Sequence, residues 1–417
     1  MKRIGLLQSF VGFLNEKVSD LFFKNQHRKE PKDFTRKRKI NFKDVLLMEL
    51  NFKTKSNELT AHDYADLANI DTFTRQSYEE AKDKVKSSAF MELFEDSVGM
   101  ALGVEDDFLF KGYRVGAVDG STALLPTSEE LLKKYGSSTP VQGNVYLRIS
   151  FCADVLNGTV LDGKMSAYSE GEGKLAVKHI NKDLGSKMLY LFDRGYWNKE
   201  LVVSICDSGQ KFLMRIASNK VSSVTNGRKT SGMFTMKFED KEYTLRYYKF
   251  VLSSGETEYL VTNLSYDEVT DEELAQLYHL RWGVETKYSE LKTRLEFEAF
   301  SGKSVNAIEQ EFYASMVVMN MTAFAIAEAD VKVKEERAGK NNKYERKPNG
   351  NMAVGILKDR LIKAVISDDP ETQAKIISKL VNDISKHVIS VVPDRHYQRD
   401  ESKLKGHAKT RKTKRPL

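Results

Sequence analysis

The 417-residue chain is poor in cysteine, proline and tryptophan, with two, seven and two of them. Neither Cys152 nor Cys206 has a Cys or His at metal-ligand spacing, which argues against a structural zinc site and fits a cytosolic, reducing compartment. Long hydrophobic runs are also missing. The longest, from Ala314 to Ala329, is interrupted by Asn320 and Thr322 and falls short of the roughly 20 residues that a membrane-spanning helix needs, so it is expected as a buried helix without a membrane partner. The opening Met1-Lys2-Arg3 resembles the head of a secretory leader. Yet Ile4, Leu7, Val11, Leu14, Val18, Leu21 and Phe22 recur every three or four residues between polar ones, the pattern of an amphipathic helix. Glycine motifs for phosphates fail as well. Asn226-Gly227-Arg228-Lys229-Thr230 lacks P-loop spacing and Gly171-Glu172-Gly173 is no dinucleotide fingerprint, so neither nucleotide hydrolysis nor hydride transfer is supported.

What is present is a chain with 41% apolar and 30% charged residues, enough to build a core in each of two or three domains. Its net charge of +7 is unevenly spread. Residues 1–60 carry +7 and residues 394–417 carry +6, so the middle of the chain is acidic. The basicity gathers in Arg36, Lys37, Arg38 and Lys39 and in the tail from Lys403 to Arg415, as expected of a chain that holds a polyanion at its edges. Charge alone leaves a solvated surface with a disordered tail as an equal alternative.

Residues 1–105 read mostly as helices, with apolar faces at 42–50 and 64–70, and form a candidate amino-terminal module. Short β-rich runs begin at Tyr113: 114–119, 145–156 and 159–165, the last two joined by the turn pair Asn157-Gly158. A helix near 174–184, a strand at 188–192, a helix at 198–206 and a strand at 212–216 follow, which predicts an α/β fold with a mixed sheet and helices on its faces. Residues 217–264 read as a separate β-rich insertion. Helices then resume from 265, with a charged loop at 331–351.

Three carboxylates stand out. Asp119 and Asp193 each end an apolar run, in Val118-Asp119-Gly120-Ser121 and Phe192-Asp193-Arg194-Gly195-Tyr196, and an acid at a buried strand end is costly unless paired or bound to a metal. Taken singly, each fits a helix cap or turn former. The third carboxylate lies on a helix opened by Thr270-Asp271-Glu272-Glu273, a capping box. At 100° per residue Tyr278, Arg281, Glu285 and Lys292 fall within about 60° of one another, beside a buried face that includes Leu277, Val284 and Tyr288. An ordinary Arg281–Glu285 pair would explain part of that line. Gly283 adds weight to a special role, because a mid-helix glycine costs about 1 kcal/mol and suggests close approach of another backbone. Three carboxylates with open coordination positions suit Mg²⁺ or Mn²⁺. No activated Ser, Cys or His is evident, and His279 and the other six histidines read as surface or satisfied structural residues.

The pattern Tyr278-x2-Arg281-x3-Glu285-x6-Lys292, preceded by Asp119-Gly120-Ser121 and Asp193-Arg194-Gly195-Tyr196, resembles bacterial DDE transposases of the insertion sequence four type. That resemblance implies a ribonuclease-H-like catalytic core in residues 106–216 and 265–330, a β-rich insertion at 217–264, a helical end-recognition region at 1–105, and a helical region with a basic tail at 331–417. It implies cut-and-paste transposition with Asp119, Asp193 and Glu285 as ligands of two Mg²⁺ or Mn²⁺ ions. Tyr278, Arg281 and Lys292 would contact phosphates near the cut, and Arg36 to Lys39 would contribute to binding of double-stranded DNA, both element ends and target. A homodimer would form in the paired-end complex, in a bacterial cytoplasm at the nucleoid. The alternatives are a catalytically inactive DNA-binding regulator and a metal-dependent nuclease without strand transfer.

Overall fold

The computed structural model describes residues 2–51, 56–105, 107–137, 144–252, 255–340 and 343–392. The basic tail from 394 onward therefore lies outside the described residues. Six helices come first: α1 (Leu6–Ser19), α2 (Leu21–His27), α3 (Phe42–Leu50), α4 (Asn57–Ala68), α5 (Arg75–Asp83) and α6 (Ser88–Leu102). The expected single amphipathic helix through Phe22 is cut in two at Asp20, whose carboxylate accepts the N–H groups of Phe22 and Phe23 and so starts α2 afresh. α1 buries Leu7, Phe10, Val11, Leu14 and Val18 on one face.

The sheet is built from β1 (Arg114–Leu124), β2 (Tyr146–Asp154), β3 (Val160–Ala167), β4 (Met188–Phe192), β5 (Lys211–Ile216), β6 (Ser231–Phe238), β7 (Lys241–Val251) and β8 (Thr257–Thr262), in the order β3-β2-β1-β4-β5-β8-β7-β6. β1 runs antiparallel to β2 and parallel to β4, and β4 is parallel to β5. An antiparallel β3-β2-β1 followed by parallel β4 and β5 is the ribonuclease-H-like arrangement. The β-rich stretch after residue 217 is not a sheet of its own. β8 pairs with β5, Leu213 opposite Thr262, and thereby extends the same sheet. The β2–β3 connection is wider than a two-residue turn: the Asp154 carboxylate accepts the N–H groups of Leu156 and Asn157, and Gly158 takes the positive φ of 77°.

Between the strands lie α7 (Glu129–Tyr135), α8 (Glu172–Ile180), α9 (Lys199–Asp207) and α10 (Ser222–Thr225). After them come α11 (Asp271–His279), α12 (Trp282–Ser289), a π-helical turn (Glu290–Arg294), α13 (Val305–Arg337), β9 (Arg346–Pro348), α14 (Gly350–Leu357), α15 (Leu361–Ile366), α16 (Pro370–Lys386) and β10 (Val388–Ser390). α13 runs through the start of the expected charged loop. By length and composition alone it could cross a membrane, but its apolar stretch is mostly buried in the protein. α13 packs against α1, α3 and α6 on one side and α16 on another. Asn320, which breaks its apolar run, accepts from the N–H of Val160 and donates to its carbonyl, satisfying backbone at the β3 edge of the sheet. Lys82 of α5 is buried between Glu49 of α3, at 3.1 Å, and Glu311 of α13, at 2.9 Å. One hydrophobic cluster extends from Leu6 to Ile384.

Candidate active site

β1 carries Asp119, and Asp193 directly follows the end of β4. The parallel pairing of these strands runs from Arg114 opposite Met188 to Ala117 opposite Leu191, and the same register two residues on sets Asp119 level with Asp193. Adjacent strands lie about 4.8 Å apart, so level residues project from the same face of the sheet. The two acids stand where β1 and β4 part, although β1 itself continues to Leu124 along β2. A glycine stands one residue after Asp119 and two after Asp193 for a local reason. The Asp119 carboxylate accepts the Gly120 N–H at 2.9 Å, and that of Asp193 accepts the Gly195 N–H at 2.7 Å. A Cβ on Gly120 would meet Glu172 Cδ at 2.8 Å, so the Glu172 carboxyl of α8 rests directly over this backbone, where Arg148 of β2 holds it at 2.6 Å.

The third acid is brought in by α12. Two contacts fix that helix to the sheet. Tyr288 stacks on Phe151 of β2, centroids 4.6 Å apart, and its hydroxyl donates to the Asp119 carbonyl at 2.6 Å while accepting from the Phe151 N–H at 3.2 Å. Gly283 meets the chain at Val155: a Cβ there would lie 2.9 Å from Val155 Cγ1, which accounts for the glycine. Burial, reinforced by the negative charges of Asp193 and Glu285, pushes the Asp119 carboxyl up to about 6. Asp193 and Glu285 thus both act on Asp119 electrostatically.

The expected straight helix from Thr270 through Leu295 is broken. α11 stops at His279, α12 starts at Trp282, and the last turn is π-helical, so a uniform 100° per residue does not hold. Tyr278 and Arg281 are buried. Arg281 donates to Glu285 at 2.9 Å, its guanidinium stacks over Trp282 at 4.6 Å, and its buried Nε has no hydrogen-bond partner. Lys292 donates to Ser121 Oγ and to the Thr122 carbonyl, both at 2.6 Å, and so clamps the π turn to β1. Lys292 and Arg281 are therefore engaged within the site. Arg36, Lys37, Arg38 and Lys39 do not join this group of side chains; all are exposed and line a cleft of about 890 Å³ with Lys32 and Lys84.

For a divalent ion the donor set is apt, being all carboxylate oxygen, and neither Asp119 nor Asp193 forms an ion pair with Lys or Arg among the described residues. Among those residues no three His, Cys, Asp or Glu side chains are gathered closely enough to enclose an ion, and Glu285 pairs with Arg281 at 2.9 Å. Asp119, Asp193 and Glu285 fit the group by the chemistry of their oxygen donors. Sequence reading had assigned Tyr288 to packing and did not single out Glu172 or Arg148; only the glycine after Asp119 signals Glu172.

The strand order and the paired aspartates place the chain among ribonuclease-H-like α/β proteins. The Transposase DDE domain family matches residues 110–321, half of the chain, and the protein belongs to that family. Members of this family are transposition enzymes that generally use divalent metal ions. A comparison with curated proteins gave no match. Among solved structures the chain is similar to a piggyBac transposase in a synaptic complex with hairpin DNA, with 11% identity, a TM-score of 0.46, and coverage of 96% of this chain and 87% of that one.

Proposed function

We propose that this transposase is of the insertion sequence four type and works by cut and paste: it binds the ends of its element, cleaves them, and joins the free 3′-hydroxyls to target DNA. The observation that supports the proposal is that Asp119 on β1 and Asp193 just past the end of β4 follow the paired stretch of two adjacent parallel strands, with the helix of Glu285 fastened to β1 through Tyr288. Asp119, Asp193 and Glu285 would hold Mg²⁺ or Mn²⁺. When bound, a pair of such ions supplies an activated water or 3′-hydroxyl and stabilises the leaving oxygen. The chain's own part is to orient the strand. Release of Glu285 from Arg281 frees a guanidinium whose Nε is already unpaired, and that guanidinium then faces the scissile phosphate. Tyr278 and Lys292 stiffen the same edge and complete the phosphate contacts. The cleft lined by Arg36 to Lys39 holds duplex DNA, and two copies of the chain pair the element ends.

The test uses DNA bearing the element's own ends with Mg²⁺, resolving nicked, hairpin and joined products. Asp119→Ala, Asp193→Ala and Glu285→Ala should each abolish cutting and joining and leave end binding nearly intact. Metal-dependent cutting that survives in any one of them removes that residue from the set. Cutting without joined products would mean a nuclease, and binding without cutting by the parent would mean a regulator.

A further inference from the structure

Behind Asp119, on the inner side of β2, three polar side chains form a buried line that the reaction described above does not use. Ser150 of β2, His179 of α8 and Asp162 of β3 are exposed by no more than 2%. Asp162 Oδ2 lies 2.7 Å from His179 Nδ1, His179 Nε2 lies 2.9 Å from Ser150 Oγ, and Ser150 Oγ lies 3.1 Å from the carbonyl oxygen of Asp119. The order resembles a nucleophile, base and orienting acid, but no substrate reaches a serine sealed this deeply. Its outlet is the backbone of Asp119.

Counting hydrogens decides what the line does. A carbonyl can only accept, so the contact with Asp119 uses the one hydrogen of Ser150. Ser150 then accepts from His179 Nε2, and the Asp162 carboxylate anchors the ring at Nδ1, so the line runs from Asp162 through His179 and Ser150 to the Asp119 backbone. Asp162 suits that role. Burial works against its charge, but the His179 hydrogen bond together with Lys182 and Lys164 holds it down at about 2.

We propose that Ser150, His179 and Asp162 are positioning residues for Asp119: the His179–Asp162 pair aims the Ser150 hydroxyl at the Asp119 carbonyl, so that two hydroxyls, Ser150 and Tyr288, hold that peptide and set the carboxylate toward Asp193. This rests on the reading of Asp119 as a metal ligand. The arrangement differs from ordinary packing polarity because its last member is the ligand's own main chain, at the β1 residue level with the second acid.

The experiment compares the full-length parent with Ser150→Ala, Ser150→Thr and Asp162→Asn. Mn²⁺ affinity is measured by calorimetry, single-turnover cleavage of end DNA by gel, end-DNA affinity in chelator by fluorescence anisotropy, and the folded state by thermal melting. Ser150→Ala should weaken Mn²⁺ binding and slow cleavage about tenfold each, the usual range for groups that orient a metal ligand, with DNA affinity unchanged. Ser150→Thr keeps the hydroxyl and should restore both. Asp162→Asn keeps the shape but replaces the carboxylate that anchors His179 Nδ1, so it should match the Ser150→Ala loss, and it carries the test if Ser150→Ala fails to fold. Unchanged Mn²⁺ affinity in a folded Ser150→Ala or Asp162→Asn overturns the proposal, as does a folded threonine variant without rescue. Asp119→Ala serves as the reference. If it binds Mn²⁺ like the parent, the metal-site reading itself fails; if it loses binding while the others keep it, only the positioning role fails.

Discussion

Asp119 is half-buried among other acids, and its carboxyl titrates near 6, above the ordinary aspartate value of 3.8. Between about pH 4 and pH 6 the metal-free folded protein therefore binds more protons than the unfolded chain, and stability falls as pH rises through that window. Asp119→Asn removes the buried charge. It should raise the stability of the metal-free protein at pH 7 by roughly 1 to 3 kcal/mol and have almost no effect at pH 4, as read by urea denaturation at the two pH values. A variant that is less stable at neutral pH would mean that the neighbouring acids do not crowd Asp119. At this scale the sequence was readable where chemistry meets local geometry. Asp119 and Asp193 stand within two residues of glycines that supply N–H groups to their carboxylates, and such proximity is visible in one dimension. Ser150, Asp162 and His179 lie on three separate elements and are brought together only by the β2–β3 register and the docking of α8, so no spacing announces them.

At the scale of elements, the docking of α12 on β1 and β2 governs whether the third acid belongs to the site. Tyr288→Phe keeps the stacking on Phe151 but leaves the Phe151 N–H and the Asp119 carbonyl short of a partner in a buried place. The cost should be about 1 to 3 kcal/mol in chemical denaturation, with cleavage reduced more than DNA binding. Gly283→Ala should destabilise by a similar amount, about 1 to 3 kcal/mol, since its methyl enters the space of Val155. Val155→Ala in the same chain should relieve it. Additive losses in the double variant would show that Val155 is not the obstacle. The existence of these helices and strands was legible from period and caps, and the strand at Met188–Phe192 matches residue for residue. The break after His279 and the π turn were not; the π turn sits where Lys292 is held onto β1 by tertiary contacts that no periodicity encodes.

For the whole molecule, the charge asymmetry seen in the sequence becomes a cleft lined by Arg36 to Lys39. Arg36→Ala with Arg38→Ala should make the slope of log K against log salt shallower by about 1 to 2 and weaken end and random DNA alike. Equal slopes in parent and variant would exclude phosphate contacts there. Point substitutions suit this test better than truncation. Removing residues 1–105 would strip α1, α3 and α6 from α13 and leave Glu311 buried without Lys82.

α13 has one more consequence. It touches the helices that flank the basic cleft, the β3 side of the sheet and the carboxyl-terminal helices, so one helix joins the cleft to the sheet. If the cleft grips DNA and the sheet cuts it, as proposed, the protein is a gauge: it cuts at a set distance from what it holds, whatever sequence lies between. Shifting the recognised sequence inward by ten base pairs, about one turn of the duplex, should carry the cut inward by the same length, as mapped on a sequencing gel. Cuts that stay at the original terminus would mean that the jaw slides along its handle.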